Sequence, residues 1–319
     1  MPTEPTTSPR RAVLGPVAPA AAPDQGPPRP APTSRPRRRD RGTVPGTSLW
    51  RLPLLLVSAS FMVIPLWLLV VNAFKSEQDI RDSPFGLPLN RLSLRPLRDA
   101  FSNPDFDVVR AYGITLLFVL LVNVLSLLVS APVSYVIARG TTRWHTALLL
   151  LFVAGTFVPS QVLLIPVVYV LKYLGLMGTI PGFVLFETAL TLPVSVFLYS
   201  AYIRTIPREL DQAASVDGLG RLRTFQLVVL PLMRPMVATA VILHSLSVWN
   251  DFANPQIILG PGSGLYTVTT GVYAAVGKYS THYAVVFPNL LLAVAPALAF
   301  FAIMQRHIIS GLTSGALKG

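Results

Sequence analysis

The chain has 319 residues, 52% of them hydrophobic and 13% charged, with a mean hydropathy of +0.57, which excludes a soluble globular domain and indicates an integral membrane protein. It holds no cysteine, and this removes disulfide frameworks, thiolate nucleophiles, Cys-ligated zinc and iron–sulfur clusters. A formal charge of +12 would suit nucleic acid, but nine of the 26 Lys and Arg lie in residues 1–51 against Glu4, Asp24 and Asp40, a placement that suits a membrane surface.

Residues 1–49 carry twelve prolines and too little apolar surface to pack, so 1–50 is expected to be a disordered cytoplasmic tail. Arg35, Arg37, Arg38, Arg39 and Arg41 make a basic patch ahead of the first span. The apolar run that follows is too long for a signal-peptide core and has no small-residue cleavage site after it, so it reads as a retained anchor. That run, Leu52 to Phe74, has 23 residues without a charge, enough to cross a hydrocarbon core of about 30 Å.

Five further spans follow within 51–319: Ala111 to Ala138, Thr146 to Leu171, Ile180 to Ile203, Leu230 to Trp249 and Tyr283 to Gln305. A polar segment of mixed charge, Lys75 to Arg110, separates the first two, and a Gly-rich aromatic loop, Asn250 to His282, separates the last two. The expected fold class is an all-α membrane protein with six transmembrane helices. Of the Lys and Arg, 18 fall on the side of the tail and eight on the other, which predicts both termini in the cytoplasm. Each span contains or borders proline (Pro65, Pro132, Pro159 and Pro166, Pro193, Pro231 and Pro235, Pro288 and Pro296), so bent helices are expected.

No ATP-binding phosphate loop is present, since Gly271 to Lys278 has five residues between Gly271 and Gly277-Lys278 where four are needed and is followed by Tyr279 instead of Ser or Thr. His145, His244, His282 and His307 are scattered without metal-ligand or triad spacing, so neither an enzyme nor a metal or cofactor site is expected in this chain. Glu187 and His244 fall inside spans. A charged acid at a helix centre costs about 2.5–3.5 kcal/mol, so Glu187 should face the bundle interior, a partner or water, either on a transport path or in a hydrogen bond to a neighbouring helix. His244 reads as a neutral packing residue. Trp249, Asn250 and Asp251 combine an aromatic face with amide and carboxylate groups, which together hold sugar rings, although a Trp at a span end also serves as an interfacial anchor. With Glu187 they are the candidate lining of a substrate path.

Residues 204–229 form a polar island between the fourth and fifth spans. Pro207 pre-sets a first helical turn, Glu209 and Asp211 sit where a helix N-terminus favours negative charge, and Gly218 supplies a φ > 0 position to end the helix. Ala213 and Ala214 allow a partner's backbone to approach closely. Within Pro207 to Pro231, the spacing of Gln212-Ala213-Ala214, Gly218, Val228 and Leu230-Pro231 resembles the EAA loop of permease subunits of bacterial ATP-binding-cassette (ABC) importers.

Four more stretches resemble the carbohydrate branch of that family, of the type of the smaller maltose-system permease. They are Pro159 with Leu164-Ile165-Pro166 and Gly175-Leu176, Ile206-Pro207 leading into Asp217-Gly218, Trp249 to Phe252, and Gly311 to Gly319. The resemblance covers about residues 52–319. It implies a type I importer permease in the bacterial inner membrane that handles a sugar or oligosaccharide and binds no nucleic acid. The implied partners are a second permease in a heterodimer, two cytoplasmic ATPase subunits carrying ATP and Mg, and an extracytoplasmic solute-binding protein. It also implies an ATPase-coupling role for Glu209, Asp211, Gln212, Ala213, Ala214, Asp217, Gly218 and Pro231. Gln212 stands where the family carries Glu, and Leu219 where a small residue is usual, while Glu209, Asp211 and Asp217 keep negative charge nearby. The rival reading is an ion-coupled secondary transporter with Glu187 as proton carrier.

Overall fold

A computed structural model of the chain describes residues 51–87, 92–102, 106–278 and 282–316, without the side chains of 51, 52, 278 and 305–316. The expected tail, 1–50, lies outside the described residues, as do the side chains of the Gly311 to Gly319 stretch. Two compact units are distinguished, residues 1–57 and 58–319. Of the first, the described part is the opening turns of helix α1 (Arg51–Asn72), and the second holds the rest.

Among the described residues every regular element is helical. Phe61 to Ile64, Leu66, Trp67 and Val70 of α1 are exposed, the pattern of a helix solvated by lipid or by another subunit, and burial begins only in its last turn at Val71 and Asn72. Three residues past the end of α1 lies a buried Lys75, whose Nζ donates to Asn72 Oδ1 at 3.1 Å and to the carbonyls of Ser83 and Pro84 at 2.7 and 3.3 Å, closing the chain around α2 (Glu77–Asp82). Burial holds this ammonium's pKa below its ordinary value, with Asp79 opposing. After α3 (Arg95–Phe101), the Asp107 side chain accepts the Arg110 N–H at 2.9 Å and caps the long α4 (Val108–Arg139).

The single span expected over Thr146 to Leu171 is instead two helices, α5 (Arg143–Gly155) and α6 (Ser160–Tyr173), bent by 99°. Pro159 causes the break, since it offers no N–H and pushes Val158 out of the helical region. Helix α7 (Ile180–Thr205) is continuous, and α8 (Glu209–Val216) is the short helix expected from Glu209. The next span is bent by 74°: α9 (Arg221–Thr224), a π-helical turn (Phe225–Val229) and α10 (Leu230–Leu232) precede α11 (Arg234–Asn250), with Pro231 and Pro235 at the junction. The expected loop from Asn250 to His282 contains α12 (Ala253–Ile258) and α13 (Val268–Lys278), and α14 (Tyr283–Ala316) completes the fold. Among the described residues four helices are long and apolar enough to cross a membrane singly, and the two bent pairs bring the number to six if each is one span.

The centre is the α4–α7 pair. Ser126, Ser130, Ser134 and Ala138 follow at four-residue spacing on α4, and this small stripe lets α7 approach through Thr191, Ser195, Val196 and Tyr199. The serine hydroxyls are satisfied locally, Ser130 and Ser134 by the carbonyls one turn back at 2.5 and 2.6 Å. Across the helices, Ser126 meets Ser195 at 3.2 Å and Thr191 at 3.0 Å, and Ser195 meets His244 Nε2 at 3.1 Å. His244 is therefore the packed, hydrogen-bonded residue expected of it.

Candidate functional site

At the end of the bundle where α4 and α7 finish, the chain turns at the buried Ile206 and the exposed Pro207 and enters α8. Asp211 fastens α8 to α4. Its Oδ1 accepts the Tyr135 hydroxyl at 2.7 Å, and its Oδ2 lies 2.6 Å from Arg139 Nη2, an ion contact whose angle falls outside hydrogen-bond geometry. Arg139 also donates from Nη1 to the Ile206 carbonyl at 2.9 Å, so one guanidinium holds both the end of α7 and the first turn of α8. The Tyr135 ring rests on Phe225 at 5.4 Å, which brings the π-helical turn into the same assembly.

Helix α8 stops as Gly218 predicts. With φ +80°, Gly218 donates to the Ser215 carbonyl at 3.1 Å while Leu219 donates to the Ala214 carbonyl at 2.9 Å, the paired bonds of a left-handed helix stop. Leu219 contributes its backbone N–H here, so its bulk does not disturb the stop. The two alanines separate: Ala214 is buried against the bundle, while Ala213 is exposed together with Glu209, Leu210, Gln212, Val216 and Asp217. Behind α8 a cleft of about 750 Å³ opens, lined by Tyr135, Arg139, His145, Arg208 and Arg221 among others.

At the far end, the four candidate path residues divide. Glu187 is buried on α7 and accepts from Asn254 Nδ2 at 2.8 Å, and the Asn254 backbone N–H donates to Asp251 Oδ1 at 3.3 Å, so Asn254 links the two acids. Trp249 turns toward α14 instead: its Nε1 donates to the Ala293 carbonyl at 3.4 Å and its ring stacks on Tyr112 at 6.0 Å, beside an apolar pocket of about 380 Å³. Asn250 is exposed, with Nδ2 donating to the Leu246 carbonyl at 2.9 Å.

Residues 130–313 match the family described as binding-protein-dependent transport system inner membrane component. The chain belongs to that family. The multiple sugar-binding transport system permease protein of Streptococcus mutans is 33% identical to this permease over 274 residues, covering 84% of this chain and 96% of the relative. Among solved structures, a bacterial ABC transporter involved in import of the acidic polysaccharide alginate aligns with a TM-score of 0.69 at 18% identity, covering 81% of this chain and 94% of that one. The alginate ABC transporter in complex with an alginate pentasaccharide-bound periplasmic protein gives 0.58 at 18% identity, covering 81% and 93%. These alignments uphold the resemblance read from residues 207–231 and show the importer permease fold.

Sequence reasoning missed three residues of the permease. Tyr135 and Arg139 appeared only as part of a span and its flanking charge, and Asn254 only as part of a loop. A basic residue and a tyrosine one turn apart at a span end, followed by an acid in the next loop on the same side, is the signal that could have found the first two.

Proposed function

We propose that the chain is the transmembrane permease subunit of an ATP-driven importer for a sugar or oligosaccharide, with residues 204–229 carrying ATPase closure into alternating access. The observation that carries this is the Asp211 fastening: a push on the exposed stripe of α8 reaches α4 through Tyr135 and Arg139, and α7 through the Ile206 carbonyl. Glu209, Gln212, Ala213 and Asp217 stand on or beside that exposed stripe, Ala214 and Gly218 set the fit and the stop, and Pro231 lies at the 74° bend beyond. The sugar class is supported by the Streptococcus relative and by the alginate transporter.

The α8 end is assigned to the cytoplasm with both termini, in line with the 18 to eight split of Lys and Arg, making 1–50 a cytoplasmic tail and 51–319 the inner-membrane domain. ATP and Mg belong to two separate ATPase subunits, and this chain has no catalytic role. A second permease and an extracytoplasmic solute-binding protein complete the assembly, and the periplasmic protein in the alginate complex supports the latter. Asn250, Asp251, Glu187 and the Trp249 region are assigned to the outer part of the substrate path.

Proteoliposomes of the assembled transporter test this. Sugar uptake should follow ATP supplied on the α8 side and persist in Glu187→Gln when ion gradients are collapsed. Uptake driven by a proton gradient without ATP, and lost in Glu187→Gln, would establish the ion-coupled alternative.

A further inference from the structure

The face of α8 that meets α4 carries more positive charge than the fastening uses. Arg208, Asp211, Gln212, Ser215 and Leu219 follow at helical spacing and line the cleft, while Glu209, Leu210, Ala213 and Val216 fall on the other stripe. The single carboxylate, Asp211, is engaged by Tyr135 and Arg139. Among the described residues Arg208 and Arg221 form no ion pair, and the buried Nε of Arg139 has no hydrogen-bond partner. Three guanidinium groups thus face one space with one acid between them.

The other walls complete a recognisable chemistry. The Gly140 to Thr142 turn brings the start of α5 to the cleft, where no side chain caps the helix N-terminus. Val136 and Leu222 line the cleft and remain 57% and 65% exposed, a greasy edge continuous with the spanning surface. Arginine donors presented as planar forks suit phosphate oxygens, and a basic pocket between spanning helices on the cytoplasmic side suits an anionic headgroup.

We propose that the cleft behind α8 binds the phosphate of an anionic phospholipid, held by Arg208 and Arg221 with its acyl portion along Val136 and Leu222. The lipid fills the gap between α8 and α4 and braces the coupling helix from the membrane side, leaving the exposed stripe free for the ATPase. The inference rests on placing this end at the cytoplasmic leaflet. A soluble phosphate-bearing solute offers the same head chemistry without the acyl portion.

The test uses the full chain with the subunits that co-purify, in nanodiscs of phosphatidylcholine with and without phosphatidylglycerol. Lipid retained on release is counted by native mass spectrometry, and amide hydrogen exchange is followed over 209–219. The wild type should keep a phosphatidylglycerol that Arg208→Gln/Arg221→Gln loses, at roughly fivefold weaker binding per arginine and roughly thirty-fold for the pair. Phosphatidylglycerol should slow exchange in α8 of the wild type alone. Both arginines are exposed, so an unchanged melting temperature confirms that the variant is folded, and Arg208→Lys/Arg221→Lys should recover part of the retention. Equal retention and equal protection in wild type and glutamine variant would overturn the site, even if other basic residues recruit lipid. Slowed exchange on adding inorganic phosphate to phosphatidylcholine discs would keep a phosphate site and overturn the lipid. Neither readout needs ATP hydrolysis or uptake, so failure here is distinct from failure of the transport reading.

Discussion

Replacing Asp211 by Ala removes the partner of a guanidinium that is nearly enclosed. The Arg139 and Asp211 side chains are 14% and 19% exposed and 2.6 Å apart. Breaking a fully buried pair by removing one member costs about 3–5 kcal/mol, and an exposed pair contributes about 0–1, so this geometry places the loss at about 2–3 kcal/mol including the Tyr135 hydrogen bond. At 1.4 kcal/mol per tenfold, the detached state of α8 should gain about thirty- to 140-fold in population. Hydrogen exchange reads this directly: amides from Gln212 to Leu219 should exchange faster by that factor, while those in the middle of α4 and α7 stay protected. A double-mutant cycle with Arg139→Gln should show the second change costing little after the first. In the assembled transporter, ATP turnover should survive while uptake falls. Unchanged exchange over 212–219 in Asp211→Ala would refute the fastening and with it the route from α8 to α4.

Pro296 leaves the Leu292 carbonyl without its helical donor, and the Tyr112 hydroxyl fills the place at 2.5 Å, so Tyr112→Phe should lower stability by about 1–2 kcal/mol, seen as a reduced melting temperature with little change in uptake. Glu77 ties α2 to the start of α14, its Oε2 accepting the Ala284 N–H at 2.8 Å. Burial pushes its carboxyl up, but that N–H and Arg81 outweigh burial and hold it below 4.5, so its stabilising contribution is in full above that value and is lost as pH falls through the lower folded value. Melting temperature should therefore drop on acidification below 4.5, and in Glu77→Gln the share of the drop due to this tie should be missing.

The spans were legible because a run of 20 or more apolar residues has few other uses, and α8 was legible because Glu209, Asp211 and Gly218 each state a local rule of helix start and stop. What stayed hidden depends on contacts far apart in the chain. Tyr135 and Asp211 are separated by 76 positions, and Tyr112 and Leu292 by 180, and nothing local announces either pairing. The 99° bend between α5 and α6 was masked for a related reason. Hydropathy adds across Thr146 to Leu171 whether or not the axis continues, and Pro159 reads equally as a kink or a break. Trp249 offered two sequence readings, and its N–H bond to Ala293 ties it to α14 through a partner 44 positions away, which its neighbours Asn250 and Asp251 do not announce.

Transmission through α8 is tested most directly by a single cysteine at Ala213, on the exposed stripe of a chain that has no other cysteine. In membranes containing the assembled transporter, a short reducible thiol cross-linker should join Ala213→Cys to an ATPase subunit, block sugar uptake while the link is intact, and release it on reduction. A cysteine there that labels from outside intact cells, or that stays unlinked to any ATPase in an actively transporting complex, would contradict the coupling role of α8.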